Sequence, residues 1–450
     1  MPFDRESLAL LDEALAVLAE GFRHLPDARQ RVDVAALREP LLAVARQLQD
    51  NAPYHHPLYL GHMQKPPHPI ARLAYTLALW LNPNNHACDG GRASSIMEQE
   101  AIGEIARMVG WTSSQGHLCS GGTLANFEAL WVAREQHPGK GIATSSQAHY
   151  THERLSGVLG IAARAIPTDA RGRMDPAALE DALQDGTIGT VVVTLGTTAT
   201  GAVDPLDRIL ALRARHAFRI HVDAAYGGYF TLADNLDADT RRAFDCVTQA
   251  DSFAIDPHKH GLQPYGCGCV LFRDPAVRHH YRHDSPYTYL NPDDPHLGEI
   301  SLECSRPGAA AVALWATQRL LPLASGGTFA QGLASGRMAA LALHRSLADD
   351  TRFVPQCLPQ LDIVVWAVRA DTASQASQRA RALHAAARKR DLHLSLVTLP
   401  KAMLEPGDPV RAWDTETIVC LRACVMKPEH REWMNEILAR LDAAARSTEQ

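Results

Sequence analysis

None of the hydrophobic stretches of this sequence reaches about 18 residues free of charge, so a membrane-crossing helix is not expected. The start, Met-Pro-Phe-Asp-Arg-Glu, lacks the basic-then-apolar layout of a signal peptide, and a cytoplasmic location with no membrane partner is expected. Charge of one sign is missing too: a formal net charge of −6 over 450 residues leaves no strong field, which argues against a nucleic-acid partner. There is no C-x-x-C pair. The nine cysteines are scattered, and Cys267-x-Cys269 and Cys420-x3-Cys424 lack a partner set for zinc, so reduced thiols are expected. In His279-His280-Tyr281-Arg282-His283, neighbours on one element point in different directions, and no metal is expected there. No G-x-G-x-x-G follows the first strand, which removes the nicotinamide fingerprint. What remains, 46% hydrophobic and 21% charged residues, is the make-up of an ordinary globular protein of two or three domains.

The stretch around which the rest is organised is Asp251-Ser252-Phe253-Ala254-Ile255-Asp256-Pro257-His258-Lys259-His260-Gly261-Leu262. It reads as a short apolar strand running into a Pro-His-Lys turn. A lysine held at a strand end and partly desolvated can act as a nucleophile toward a carbonyl. Upstream, Ile220-His221-Val222-Asp223-Ala224-Ala225-Tyr226 places an acid inside a β-branched, small-residue run, where an unpaired carboxylate would be costly. A buried acid and a reactive lysine at neighbouring strand ends suit pyridoxal phosphate. The acid would keep its pyridinium nitrogen protonated, and the amine would take its aldehyde.

H-V-D-A-A-Y followed by D-P-H-K resembles the group II pyridoxal-phosphate amino-acid decarboxylases, fold-type I enzymes that include aromatic-amino-acid, tyrosine, glutamate and aspartate decarboxylases. The resemblance covers roughly residues 50–430. It implies that Lys259 carries the cofactor and that Asp223 holds the ring nitrogen, with His258 beside the lysine. Leu118-Cys119-Ser120-Gly121-Gly122-Thr123-Leu124-Ala125-Asn126 is similar to the family's S-G-G-T-x-A-N phosphate cup, with Leu124 where Glu is more usual. A Gly-Gly turn opening onto a helix is also an anion site on physical grounds, with backbone N–H groups and the Thr123 hydroxyl pointing at the ligand. Ser146-Gln147-Ala148-His149 matches D-Q-A-H, whose histidine lies flat on the ring. The ring would then be sandwiched between His149 and the Ala225 methyl. Thr198 ends a strand within reach of the cofactor, and Asp204 matches an acid of the family. Aromatic-amino-acid decarboxylases carry Tyr-Phe where His62-Met63 stand here, and the tail K-P-P-H-P-I-A is closer to tyrosine/aspartate decarboxylases of archaeal type.

Taken in order, residues 1–50 read as two amphipathic helices, 8–18 and 35–49, with too little core to fold alone. The resemblance makes them an arm that wraps a partner subunit, and hence implies a homodimer with its active sites at the interface. A Pro- and His-rich loop follows over 51–70, offering His62, Gln64 and Lys65 to a substrate pocket. Helices are expected over 71–81 and from Ser94 to 109, the second opened by a serine cap with a Glu three residues on. Strand and helix alternate from about 118 to 275, which implies a parallel, doubly wound α/β sheet with ligands at its strand carboxyl ends; the resemblance makes it a mainly parallel, seven-stranded-type sheet. Residues 275–300 form a loop rich in Tyr, His, Pro and Asp. Tyr287 or Tyr289 on it would return a proton to the substrate's α-carbon. S-R-P-G-A at 305–309 opens a long helix, and recurs in related lyases near the subunit interface and active-site rim. From about 325 the chain becomes a small α+β domain, in which the resemblance makes Arg422 the candidate grip for the substrate's α-carboxylate.

The expected division is 1–50, 51–324 and 325–450. The expected reaction is decarboxylation of an L-amino acid, with tyrosine, aspartate or glutamate ahead of tryptophan or dopa. A sphingosine-phosphate-lyase-like carbon–carbon lyase, which shares P-H-K and S-R-P-G, is the alternative, and an aminotransferase stands further off.

Overall fold

The computed structural model describes residues 5–26, 32–86, 88–281, 301–404 and 407–448. The N-terminal helices α1 (Arg5–Glu20) and α2 (Val34–Leu48) form where the periodicity put them, α2 capped by Asp33. Neither buries a residue within the single chain. The helices α3 (Pro69–Leu79) and α4 (Cys88–Met108) follow.

The start of α4 differs from expectation. Ser94 does not cap it, because the helix already begins at Cys88 and is broken at Gly91 (φ −164°, ψ 56°). The Ser94 hydroxyl instead donates to Asn85 and to the Gly91 carbonyl. Glu98 is 1% exposed, so its charge requires a partner, and it takes Arg306 at 2.6 Å. What resembled a capping signal is a buried ion pair.

A seven-stranded sheet is then laid down by β1 (Gln115–Cys119), β2 (Gly141–Ser145), β3 (Ala163–Ile166), β4 (Ile188–Thr194), β5 (Arg219–Asp223), β6 (Ser252–Ile255) and β7 (Gly268–Phe272). Helices α5 (Gly122–Gln136) and α6 (Thr151–Leu159) are among the crossovers. The strand order is β1-β7-β6-β5-β4-β2-β3. Strands β6, β5, β4, β2 and β3 run parallel, and β7 is antiparallel to both its neighbours. All seven residues of β4 are buried, as befits a strand covered on both faces. Because β1 opposes β7, its carboxyl end lies at the same sheet edge as those of β2, β4, β5 and β6.

Beyond the sheet, Pro275–Val277 and Arg278–Tyr281 are helical turns where a loop was expected, and residues 282–300 lie outside the described residues. A second sheet uses β8 (Phe353–Pro355), β9 (Ile363–Val368), β11 (Ser395–Pro400) and β13 (Thr417–Cys424), all antiparallel, in the order β11-β13-β9-β8. The short strands β10 (Ala370–Thr372) and β12 (Val410–Ala412) pair beside it. One face of this sheet, with Val364, Trp366, Val419 and Leu421, packs with residues of the helices Thr328–Ala348, Ala373–Arg388 and Met434–Arg446. Its opposite face, with Ile363, Val365, Ile418, Cys420 and Cys424, belongs to the core of the seven-stranded sheet.

Candidate active site

Lys259 stands where the sequence placed it, in the turn just past β6. Its backbone N–H closes the turn on the Asp256 carbonyl at 2.9 Å, and its Nζ lies 3.0 Å from Asp256 Oδ2. His258 is fixed beside it by a 2.8 Å contact from Nδ1 to the Cys267 carbonyl, with its ring 4.7 Å from that of Tyr265. Asp256 is a member of the site that the sequence reading passed over. It is 3% exposed, so it needs a cation, and Lys259 is that cation.

At the neighbouring strand end, Asp223 is 4% exposed and bound by three donors. Its Oδ2 contacts His152 Nε2 at 2.8 Å and Asn126 Nδ2 at 3.2 Å, and its Oδ1 accepts the Ala225 N–H at 3.1 Å. Burial by itself would raise the carboxyl pKa; the hydrogen bond and charge of His152 outweigh it and hold the group well below the usual carboxylate range. The network runs on through Asn126 Oδ1 to His221 Nε2 (2.8 Å) and from His221 Nδ1 to Ser252 Oγ (2.9 Å). Burial pushes His221 down to about 3, so it stays neutral and donates to the asparagine oxygen.

The Gly-Gly turn lies between these two groups. A Cβ on Gly122 would come within 2.9 Å of Asp256 Oδ2 and 3.1 Å of the Ala225 methyl, so only glycine fits at this approach. The turn opens α5, whose first N–H groups have no side-chain cap. His149 follows β2; its Nδ1 is 2.6 Å from Thr151 Oγ1, and burial lowers its pKa. Asp204 accepts the Thr194 and Met174 N–H groups at 2.8 and 2.7 Å and ties down the end of β4, while burial pushes its pKa up to about 7.

Together these elements line one cavity of about 350 Å³, into which Lys259, Asp223, Gly122, Thr123, His149 and Thr198 all face, with Ala225 and His258 beside them. Among the described residues Lys259 is the one lysine in that lining. An amine, a held carboxylate, an anion cup at a helix start and an imidazole around one cavity match the aldehyde, ring nitrogen, phosphate and ring face of pyridoxal phosphate. The donor set fits that cofactor.

The profile of the pyridoxal-dependent decarboxylase conserved domain matches residues 63–354. This chain belongs to the pyridoxal-dependent decarboxylase family. Among its relatives within the family, an L-tyrosine decarboxylase of Levilactobacillus brevis is 29% identical over 366 residues, covering 59% of this chain and 58% of that protein. A probable L-aspartate decarboxylase of Halobacterium salinarum is 34% identical over 264 residues, covering 57% and 71%. The fold is also that of Oryza sativa TDC crystallised with PLP and tryptamine, at a TM-score of 0.77 and 19% identity over 99% of both chains. The expected fold-type I architecture of the decarboxylases is thus the one observed.

Other expected pocket residues of this family member lie elsewhere. Neither His62 nor Arg422 lines the cavity. His62 is exposed and shares a neighbourhood with Arg422, whose charge adds to burial in lowering the His62 pKa. Arg422 is 5% exposed, with Nη1 3.3 Å from Ser395 Oγ, while its Nε and Nη2 have no hydrogen-bond partner. Gln64 and Lys65 are engaged in the fold: Gln64 accepts from the Tyr59 hydroxyl at 3.0 Å, and Lys65 Nζ donates to the Met426 carbonyl at 3.2 Å. Tyr287 and Tyr289 lie outside the described residues. Asn126, His152 and His221 were not foreseen as a group. Asn126 and His221 stand inside the quoted motifs, as the last residue of S-G-G-T-x-A-N and the first of H-V-D-A-A-Y, whereas His152 carries no such mark.

Proposed function

We propose that this chain removes CO₂ from an L-amino acid to give the corresponding amine, using pyridoxal phosphate. The observation that carries the reading is the placing of Lys259 and Asp223 at adjacent carboxyl strand ends of one cavity, in a member of the decarboxylase family. When bound, the cofactor supplies a sink for the electron pair left behind as CO₂ departs. Lys259 would anchor the cofactor through its amine. Asp223, kept ionised, would hold the proton on the ring nitrogen. Gly122 and Thr123 would hold the phosphate, Thr198 and Ala225 would close the sides, and His149 would cover one face of the ring and exclude water.

Tyr287 or Tyr289 delivers the proton to the α-carbon on this reading. Replacing the donor by phenylalanine is expected to misdirect that proton and so raise the ratio of aldehyde to amine product, in one variant and not in the other. Two variants with wild-type product ratios would assign the proton to another group, with His149 next.

For the substrate we favour tyrosine, aspartate or glutamate, which the relatives named L-tyrosine decarboxylase and probable L-aspartate decarboxylase support. A CO₂-release screen over the twenty amino acids decides among them. Arg422 is buried with two donors open but lies outside the cavity lining, so Arg422→Met is expected to leave KM unchanged. A KM raised about tenfold or more by that change, for whichever amino acid is decarboxylated, would instead assign Arg422 to the substrate's α-carboxylate.

We further propose that the chain works in the three pieces 1–50, 51–324 and 325–450, as an obligate homodimer. Support comes from the arm: Leu8, Val17 and Leu41 are 65%, 71% and 68% exposed, too much apolar surface for helices with no buried residue of their own. Sedimentation is expected to show a dimer that loses activity as it dissociates; a fully active monomer at micromolar concentration would contradict it.

A further inference from the structure

His152 does not line the cavity, yet it occupies an expensive position. It is the second residue of α6, three after His149, and it is 1% exposed. An apolar side chain would fill this buried position without the cost of burying an imidazole. Its Nε2 lies 2.8 Å from Asp223 Oδ2, and its Nδ1 has no hydrogen-bond partner. The ring is therefore not held from its far side, and its one polar contact is with Asp223.

That contact has a consequence for the acceptor positions of the carboxylate. An ionised carboxylate offers about four lone-pair positions, two on each oxygen. His152 and Asn126 both converge on Oδ2, and Ala225 N–H takes one position on Oδ1. One position remains, on Oδ1. The other titratable groups around this point do not compete for it. His221 is turned to Asn126 and Ser252, His149 to Thr151, and Asp256 to Lys259.

We infer that His152 is a positioning residue, which keeps Asp223 ionised by donating to Oδ2 and leaves Oδ1 as the single acceptor for the ring nitrogen of the cofactor. It would act through Asp223 without touching substrate. By fixing which oxygen meets the ring, it sets both the orientation of the bound ring and the residence of the proton on its nitrogen. This rests on pyridoxal phosphate occupying the cavity.

The test compares holoenzyme of wild type, His152→Leu and His152→Gln, each reconstituted with pyridoxal phosphate labelled with ¹⁵N in the ring. Two quantities are read: the ring-nitrogen chemical shift and the dissociation constant of the cofactor. His152→Leu removes the donor and is expected to move the shift toward that of an unprotonated pyridine, with binding about tenfold weaker. His152→Gln keeps an N–H donor and is expected to hold the wild-type shift. A leucine variant with wild-type shift and affinity overturns the inference. So does a glutamine variant that fails as leucine does while circular dichroism shows both folded. If His152→Leu does not fold, His152→Met removes the donor in an unbranched side chain and takes its place. Failure of the underlying reading looks different: wild type itself would then bind no pyridoxal phosphate.

Discussion

Lys259→Ala is expected to abolish turnover, by a factor on the order of 10⁴ or more, while leaving a folded protein. The reason lies in the lining of the cavity. Among the described residues no second lysine faces it, so no other amine there can take over the covalent anchoring of the cofactor. Activity alone would not separate loss of anchoring from loss of fold, so the informative measurement is chemical. Borohydride reduction of the wild type followed by proteolysis should leave the pyridoxyl group on the peptide containing Lys259; the variant should carry none. Some loss of stability is also expected, because the alanine strips Asp256 of the cation 3.0 Å away and leaves a carboxylate that is 3% exposed. A wild type that yields no reduced adduct after saturation with pyridoxal phosphate would remove the basis of the proposed function.

The second large effect concerns stability. Arg306→Ala is expected to cost about 3–5 kcal/mol, since removing one partner of a buried ion pair leaves the other charge unsolvated. The pair is tightly enclosed: the side chains of Arg306 and Glu98 are 4% and 2% exposed, with Nη1 2.6 Å from Oε1. Around it, Arg306 Nη1 also reaches the Leu118 carbonyl, and Glu98 accepts the Leu118 N–H at 2.9 Å and Asn85 Nδ2 at 2.6 Å. Both backbone groups of Leu118 are thereby clamped, one residue before the end of β1 and three before the Gly-Gly turn. The change should therefore loosen the phosphate cup as well. Urea denaturation reads the first effect and cofactor affinity the second. A partly compensating variant, Arg306→Ala with Glu98→Gln, should recover some of the lost stability; a loss below about 1 kcal/mol in the single variant would show that the pair is not stabilising.

How much of this was legible in the sequence depended on whether a signal was local. The strand-to-turn passages at Lys259, Asp223, Gly122 and His149 were readable because apolar runs stop at polar or glycine residues with characteristic neighbours. Their meeting in one cavity followed from the alternation of strand and helix, which puts parallel strand ends on one edge. What escaped were partners supplied from a distance. Asn126 and His152 meet Asp223 from 97 and 71 residues away, and although Asn126 closes a recognisable motif, nothing in either local stretch names Asp223 as its partner. Ser94 and Glu98 misled for the same reason in reverse. The three-residue step from Ser95 to Glu98 imitates a helix-start signal, whereas the carboxylate is committed to Arg306, 208 residues on. Lys65 looked like a pocket cation because a loop gives no periodicity from which to judge direction; the fold turns its ammonium toward the Met426 carbonyl.

The inner row of β13, formed by Ile418, Cys420 and Cys424, is packed into the same core as the strands that carry Asp223 and Lys259. A minimal cofactor-binding protein therefore cannot be cut from this chain by stopping near residue 325, since the cut would strip one wall from the interior it was meant to keep. For the same reason, transplanting the C-terminal sheet of a relative to change substrate preference would have to carry these side chains over unchanged, or redesign both surfaces of the seam together. In this chain the module boundary that engineers would draw along the backbone and the one that the packing draws do not coincide.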